Sequence, residues 1–311
     1  MNTPNAALPH AGITVQINHR TKLRETWHER FGVPEVHQKG IGRLTFAGQT
    51  TAVHKVPLGK GLSLDFFAKL KPSEELIVTL PGAASPEKNI YPLFARVSTF
   101  RRRAPAVMAF ADPTILLDPN REMLLSWFLG GPDFDPAPLI LQAIRRAQGK
   151  TGAKRVIFVG GSGGGHPALR LSAMLPGSMA YVHEGATNIA RSLPTSVSRY
   201  FRTVWPGWDQ EMLLRAFPER FDMVRHYRRF QPANFVYHAQ SVDDAKFRDD
   251  HYVPFRDAHG VTVDSGVNRS GARHFVLYKG AVPGHGKVTA EEFDYHFSTA
   301  IRLWRDWRAT G

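Results

Sequence analysis

The segment RVIFVGGSGGGHPALRL, residues 155–171, constrains the fold more than any other part of the chain. Its apolar run predicts a buried strand, the glycines predict a tight turn, and the small and apolar residues after them predict a helix. A strand that passes through a short turn into a helix is typical of a parallel sheet with helices on its faces. One serine, Ser162, stands among the glycines of this turn.

The remainder of the chain predicts a single α/β domain around this segment, and 311 residues suit one large domain. Residues 42–70 contain β-type segments broken by glycines, which predict consecutive antiparallel strands, and residues 1–60 form a predicted β-rich N-terminal extension. Strand and helix patterns then alternate, which predicts a mostly parallel central sheet flanked by helices. Residues 187–233 show helical patterns without a strand, and we interpret them as a helical cap insertion.

Glycine-rich strand-to-helix turns hold either nucleotide phosphates or catalytic serines. A Walker loop requires a lysine after its last glycine, and none follows here. The dinucleotide pattern G-x-G-x-x-G fails in both registers, because His166 or Ser162 stands where a glycine is required. Residues 160–164 match G-x-S-x-G, which predicts a nucleophile elbow that lifts the Ser162 hydroxyl out of the sheet. The alternative is a glycine turn that only permits tight packing of helix on strand.

A serine nucleophile requires a base, and the base requires an acid that orients it. Among fourteen histidines, only His285 lies in a glycine-flanked loop between the last predicted strand and the final helix. Asp243 follows the preceding strand, and we favour it as the acid because that residue usually lies about three positions beyond the strand end. Other aspartates remain open for this role. They are Asp244, Asp249 and Asp250.

Further histidines and aromatic residues have structural and functional interpretations. We expect His166 to pack in the elbow helix and to point away from the serine. The pair His183 and Glu184 suggests a metal site, but neighbours on a strand face opposite sides, and no metal is predicted. Aromatic residues of the insertion are candidates for lining an acyl or sugar pocket, with core packing as the alternative. They are Trp205, Trp208 and Phe217.

On these residues the chain resembles α/β-hydrolase-fold serine hydrolases, from about residue 60 to the C-terminus. The resemblance implies a mostly parallel sheet of about eight strands, an acyl-enzyme mechanism and no cofactor. The residues that match the nucleophile, acid and base are Ser162, Asp243 and His285. The implied oxyanion donors are the N–H of Gly163 and one from the turn LPGAA, which is Ala83 or Gly82. That turn departs from the frequent His-Gly form of the family.

A second resemblance is carried by DPTILL, LSWFLGG and the HAQSVDDAKF…HYVPF region. These segments are similar to bacterial hydrolase-like proteins that are encoded with surface-glycan and accessory-secretion genes. The similarity implies a glycan-related acyl substrate.

The formal charge of +13 favours an anionic partner, although most of the basic residues are interpreted as solvated surface charge. The tightest basic cluster, residues 101–103, lacks the interleaved aromatic residues of a nucleic-acid module, so no specific nucleic acid is predicted. No apolar run could span a bilayer, and the N-terminus lacks the features of a signal peptide, which predicts a cytoplasmic protein. The absence of cysteine excludes disulfides and thiol nucleophiles.

Three functions follow from these observations. The first is a serine esterase that hydrolyses a small-molecule or glycan acyl ester through an acyl-enzyme, and the positive charge of the chain would suit an anionic ester. The second is an O-acyltransferase, in which a glycan hydroxyl intercepts the same intermediate. The third is a non-catalytic protein that binds an anionic glycan on a hydrolase scaffold. No prediction of oligomeric state is made.

Overall fold

The computed structural model describes residues 15–85, 87 and 90–310, so the first 14 residues of the predicted N-terminal extension lie outside it. The described residues form one twelve-stranded mixed sheet in the order β1-β2-β3-β4-β5-β7-β6-β8-β9-β10-β12-β11. The strands are β1 (Gln16–Ile17), β2 (Arg24–His28), β3 (Val33–His37), β4 (Thr51–Gly59), β5 (Leu62–Leu70), β6 (Glu75–Leu80), β7 (Ala106–Phe110), β8 (Arg155–Ser162), β9 (Met179–Gly185), β10 (Phe235–Ser241), β11 (Gly266–Val267) and β12 (Arg273–Tyr278).

Six adjacent strands, from β7 to β12 in the order β7-β6-β8-β9-β10-β12, are parallel to one another. β5 pairs antiparallel with β7 and with β4, as the glycine-broken pattern of residues 42–70 predicts. The sheet has four more strands than the resemblance implies, because β1, β2 and β3 extend one edge and β11 covers the other. The carboxyl ends of β8, β9 and β10 therefore meet at one edge, where ligand sites of such sheets lie.

Helices cover both faces of the sheet. They are α1 (Val97–Arg103), α2 (Pro136–Thr151), α3 (Gly165–Ala173), α4 (Pro194–Val204), α5 (Gln210–Ala216), α6 (Pro218–Phe221), α7 (Met223–Phe230), α8 (Ala245–Phe247), α9 (Val253–Asp257) and α10 (Ala290–Thr310). On one face, Ile140 and Ile144 of α2 and Leu169 of α3 join the main apolar core. On the other face, Phe100 of α1 and Trp304 of α10 pack against β8, β9 and β10. Burial of these apolar side chains is the main stabilising contribution.

Four helices, α4 to α7, lie between β9 and β10, in the segment that shows helical patterns without a strand. They enclose a separate apolar cluster that includes Tyr200, Trp205 and Phe221. The cluster also contains apolar side chains of residues 123–129 and Phe247, so the segment shares this core with the rest of the fold. Among the described residues, no helix has both the length and the apolar character that crossing a membrane requires.

Candidate active site

The elbow is the first element of the site. Ser162 is the last residue of β8 and has φ 52°, a left-handed conformation that a non-glycine residue rarely adopts. The helix α3 begins three residues later, at Gly165. A strained residue between a buried strand and a helix is the backbone arrangement that the G-x-S-x-G pattern predicts.

The two outer glycines of the motif are required by close approach of the backbone. A Cβ atom on Gly160 would lie 2.0 Å from the carbonyl oxygen of Gly164, and one on Gly164 would lie 2.4 Å from the carbonyl oxygen of Leu80. Neither position has room for a side chain, because the clashing atoms belong to the main chain. The glycines therefore let strand and helix meet at a sharp angle beneath Ser162.

Three distant side chains meet above this turn. Nε2 of His285 lies 2.7 Å from Oγ of Ser162, and Nδ1 lies 2.6 Å from Oδ2 of Asp244. The carboxylate accepts a hydrogen bond from the Nδ1–H group, so the unprotonated Nε2 is left to accept a hydrogen bond from the serine hydroxyl. The arrangement can deprotonate Ser162 and hold the imidazolium that results.

The aspartate in contact with His285 is Asp244, and the preference for Asp243 is corrected. β10 ends at Ser241, so a count of three residues beyond the strand gives the second aspartate. The Asp244 side chain is 6% exposed and also accepts a hydrogen bond from the N–H of Phe247 at 3.3 Å, whereas Asp243 is exposed. The other open candidates bond elsewhere, Asp249 with Arg248 and Asp250 with Lys246.

Two contacts hold the loop of His285. The Phe247 ring stacks on the imidazole with 3.8 Å between ring centroids. The N–H of Gly286 donates to Oε2 of Glu184 at 2.7 Å. The flanking residues Gly284 and Gly286 have φ of 103° and 69°, values that side-chain-bearing residues rarely adopt. No sequence pattern predicted the contacts of Phe247 and Glu184 with this loop.

Glu184 lies at the end of β9, beside the elbow, and is 3% exposed. Burial raises the pKa of its carboxyl group, and the hydrogen bond from Gly286 opposes this rise. Its other oxygen accepts a hydrogen bond from the Tyr278 hydroxyl at 3.4 Å. Glu184 could have been noticed in the sequence because it ends a strand next to β8, and the carboxyl ends of parallel strands lie at one edge of the sheet.

The neighbouring His183 is hydrogen-bonded through both ring nitrogens. Its Nδ1 bonds the Tyr181 hydroxyl at 2.8 Å, and its Nε2 bonds the Tyr278 hydroxyl at 2.5 Å. Burial lowers the pKa of His183 to about 3. Both nitrogens are engaged by tyrosines, so His183 has no free ligand atom for a metal ion.

One group of potential metal ligands occurs in the described part of the chain. Ligand atoms of Glu184, Asp244 and His285 lie within 4.8 Å of one another. Both nitrogens of His285 already contact Ser162 and Asp244, and Glu184 accepts from a backbone N–H. A metal ion would have to replace these hydrogen bonds, so the donor set fits a hydrogen-bonded triad better than a metal centre.

The turn after β6 lies against the elbow. A Cβ atom on Gly82 would lie 3.3 Å from Cβ of Ser162 and 3.4 Å from the nitrogen of Gly163. The N–H of Ala84 donates to the Leu124 carbonyl at 2.9 Å, which anchors the turn. Within the described ranges, the N–H groups of Gly163 and Ala83 donate to no protein acceptor. Two backbone donors are thus available beside the serine, where an oxyanion would form.

Trp205 belongs to an apolar core and not to a pocket wall, so its predicted role in the substrate pocket is corrected, whereas the assignment of Trp208 stays a prediction. Trp205 is 1% exposed, and its indole N–H donates to the Tyr200 hydroxyl at 2.9 Å inside the core of the insertion. Trp208 is 46% exposed and packs on Trp205 and Phe217. The helical spacing of apolar residues in the insertion reflects burial in this core, to which residues 123–129 also contribute.

His166 does not act as an alternative base. It lies in the first turn of α3, is completely buried, and its Nε2 bonds the Arg220 carbonyl of the insertion at 3.1 Å. Burial lowers the pKa of His166 to about 3. The residue joins the elbow helix to the insertion, in agreement with the packing role that the sequence predicts.

No protein-family model and no curated protein sequence matches the chain. Several solved structures are similar to the chain in fold. A capsule O-acetyltransferase of Neisseria meningitidis serogroup A, in complex with CoA, has a TM-score of 0.54 at 14% identity, over 83% of this chain and 94% of that one. Esterase B from Lactobacillus rhamnosis has a TM-score of 0.53 at 12% identity, over 84% and 89%.

The glycosylation-associated Gap123 complex from Streptococcus agalactiae has a TM-score of 0.54 at 15% identity, over 82% of this chain and 46% of that one. At these identities the likeness concerns the fold. Together with the mixed sheet and its flanking helices, it confirms the α/β-hydrolase resemblance.

Proposed function

We propose that this chain is a serine hydrolase that cleaves an acyl ester through an acyl-enzyme, with Ser162 as nucleophile, His285 as base and Asp244 as orienting acid. The observation that carries the proposal is the pair of hydrogen bonds at His285, 2.7 Å to the serine and 2.6 Å to the carboxylate. A nucleophile, a base within hydrogen-bond reach and a third group that orients the base are the requirements of covalent acyl transfer.

The reaction runs in two halves. Oγ of Ser162 attacks the ester carbonyl carbon while Nε2 of His285 takes the hydroxyl proton. The imidazolium then gives that proton to the leaving alcohol oxygen as the carbon–oxygen bond breaks, which leaves an acyl-serine. Water enters, His285 removes its proton, and collapse of the second tetrahedral intermediate releases the acid and restores the serine.

Backbone donors stabilise the charge that develops on the carbonyl oxygen. The N–H of Gly163 lies at the start of the elbow helix, and the turn with Ala83 packs against it. Fixed N–H groups need no reorganisation when the oxyanion forms, and removal of one such donor slows other hydrolases by roughly 10²–10³-fold. We therefore assign Gly163 and Ala83 as the two oxyanion donors.

Labelling and turnover test the proposal together. A fluorophosphonate probe is expected to modify Ser162, as located by peptide mass spectrometry, and the protein is expected to hydrolyse p-nitrophenyl acetate. Ser162→Ala should lose both properties, whereas Ser298→Ala, a change at an exposed serine of α10, should keep both. Turnover that persists in Ser162→Ala would refute the nucleophile. A folded protein that neither labels nor turns over would favour the non-catalytic, anionic-glycan-binding alternative.

Acyl transfer to a hydroxyl acceptor is the second candidate function, and two observations favour it. The fold likeness includes a capsule O-acetyltransferase over 94% of that chain. A groove of about 420 Å³ lies between residues 122–125 and α4, with Leu125, Ser196 and Arg199 in its wall. Leu125 also contacts the elbow, where its side chain would lie 2.6 Å from a Cβ atom on Gly163. The groove thus adjoins the elbow through the Leu125 side chain, and its wall has polar groups suited to a sugar.

Acceptor competition separates hydrolysis from transfer. p-Nitrophenyl acetate is incubated with the protein, with and without a panel of soluble oligosaccharides, and acetylated sugar is measured by mass spectrometry. An O-acyltransferase yields acetylated sugar and releases p-nitrophenol faster when the acceptor is present. A hydrolase yields acetate alone, at a rate that the acceptor leaves unchanged.

A further inference from the structure

A small cavity adjoins the nucleophile on the side of the sheet that α1 and α10 cover. It has a volume of about 190 Å³, and its wall includes Ser162, Arg96, Tyr181, Glu184 and Phe293. It passes beneath the loop of His285, since Gly286 also lines it. The cavity is distinct from the groove beside α4, and nothing in the proposed chemistry yet uses Arg96.

Arg96 is held firmly at this cavity. It is the residue immediately before α1 and has φ 52°, a left-handed conformation. Its guanidinium carbon lies 3.5 Å from the centroid of the Phe293 ring, so the charge stacks on an aromatic face. The backbone conformation and the stacked ring together fix the direction of the side chain.

No carboxylate in the described ranges forms an ion pair with Arg96. The acid that acts on it electrostatically, Asp294, is paired with Arg103. Glu184, across the same cavity, accepts from Gly286 and Tyr278. Burial, which partly removes the guanidinium from water, lowers the pKa of Arg96 from its ordinary value.

A guanidinium stays protonated in proteins, so a partly buried arginine cannot escape its desolvation by losing a proton. Such a charge is stabilised by an anion, and the planar N–H fork of arginine matches the two oxygens of a carboxylate. Because this chain supplies no carboxylate to Arg96, the matching anion is one that a ligand brings.

We propose that Arg96 binds the terminal carboxylate of a short dicarboxylic acyl group, so that the preferred substrate is a half-ester such as a hemisuccinate. This inference rests on the proposed function, in which Ser162 attacks the other carbonyl carbon of the same acyl group. The volume of the cavity agrees with the size of such an acyl group. At about 30 Å³ for each water-sized group, the cavity of about 190 Å³ holds about six non-hydrogen atoms. A malonyl or succinyl group has about this size, whereas a long fatty acyl chain exceeds it.

A pair of esters of nearly equal shape tests the charge alone. p-Nitrophenyl hemisuccinate and p-nitrophenyl levulinate differ in that a methyl ketone of the levulinate replaces the carboxylate. After subtraction of the enzyme-free rate, kcat/KM for the hemisuccinate is expected to exceed that for the levulinate at least about tenfold. In Arg96→Gln that ratio should fall roughly ten- to a hundredfold. Arg96→Lys, which keeps the charge without the fork, should give an intermediate ratio.

The matched control is Arg102→Gln, an exposed arginine on the same helix, which should leave the ratio at its wild-type value. A wild-type protein that hydrolyses both esters equally, or an Arg96→Gln variant with an unchanged ratio, overturns the inference while the serine mechanism stands. Failure of the serine mechanism shows itself differently, as absence of fluorophosphonate labelling and of all turnover.

Binding without turnover supplies an independent measurement. Monomethyl succinate is titrated into Ser162→Ala by calorimetry, and the same titration is made with Ser162→Ala/Arg96→Gln. Saturable binding that the second substitution weakens about tenfold or more supports the carboxylate site. No binding, or equal binding by both variants, overturns it, whatever the esterase assays show.

Discussion

Nε2 of His285 lies 2.7 Å from Oγ of Ser162, although 123 residues separate the two along the chain. The serine ends β8, and the histidine lies in the loop between β12 and α10. The contact exists because β9, β10 and β12 run parallel to β8 and deliver their following loops to the same edge of the sheet.

The two adjacent aspartates provide a direct test of the acid. Asp244→Asn is expected to lower kcat for an activated ester by roughly 10³–10⁴-fold, because an amide no longer holds the imidazole in the tautomer that accepts the serine proton. Asp243→Asn, one residue away and exposed, should stay within about twofold of wild type. Steady-state kinetics of both variants decide the point. Equal losses, or a larger loss in Asp243→Asn, would contradict the assignment of Asp244.

Glu184 is predicted to act as a positioning residue through the N–H of Gly286. Glu184→Ala removes the acceptor and loosens the histidine loop, so kcat should fall about tenfold or more while KM stays near its wild-type value. Glu184→Gln retains an oxygen acceptor and should recover most of kcat.

The informative readout is the split between kcat and KM in these two variants, measured alongside their melting temperatures. A merely structural role would lower the melting temperature of Glu184→Ala and leave kcat of the folded fraction unchanged. That result would remove Glu184 from the positioning of the base.

The elbow glycines are predicted to tolerate no side chain. Gly160→Ala places a Cβ atom 2.0 Å from the carbonyl oxygen of Gly164, so the strand and helix must separate, which should destabilise the protein by several kcal/mol or prevent folding. Gly149→Ala, at an exposed position of α2 with no heavy atom within 4 Å, should stabilise the protein by up to about 1 kcal/mol. Urea denaturation measures both. Wild-type stability of Gly160→Ala would contradict the observed turn geometry.

The free energy of unfolding is expected to decrease in acid because the protein buries neutral histidines. His238 allows this decrease to be measured at a single residue. Burial lowers the pKa of His238 from 6.5 to about 3, and neither ring nitrogen has a hydrogen-bond partner in the described residues. Below pH 6.5, His238 therefore binds a proton in the unfolded chain but stays neutral in the folded chain. The stability that neutral His238 contributes is fully present above pH 6.5 and is lost as the pH falls towards 3.

His238→Leu should thus reduce the loss of unfolding free energy between about pH 7.5 and about pH 5.5 by roughly 1 kcal/mol. Urea denaturation at the two pH values gives this difference. The same substitution at His19, an exposed histidine, is the control and should leave the difference unchanged. If His238→Leu lost as much unfolding free energy between the two pH values as the wild type, His238 would not be the source of the pH dependence.

The sequence by itself determined the features that depend on local sterics. Gly160 and Gly164 mark the elbow because a side chain at either position would collide with nearby backbone, and the spacing alone reveals that requirement. The glycine-flanked loop identifies His285 for a similar reason, since such a loop can present an imidazole above the sheet. The alternation of strands and helices predicts parallel strands, and thus a shared edge at which these residues meet.

Only the tertiary structure decided between residues of equal local character. Asp243 and Asp244 differ in sequence by one position, and the end of β10 determines which of them faces His285. Trp205 became core because distant segments packed around it, and Arg96, unlike the neighbouring arginines of α1, lines the cavity beside Ser162. Burial and partner choice arise when distant segments pack together, and no local pattern encodes which segments those will be.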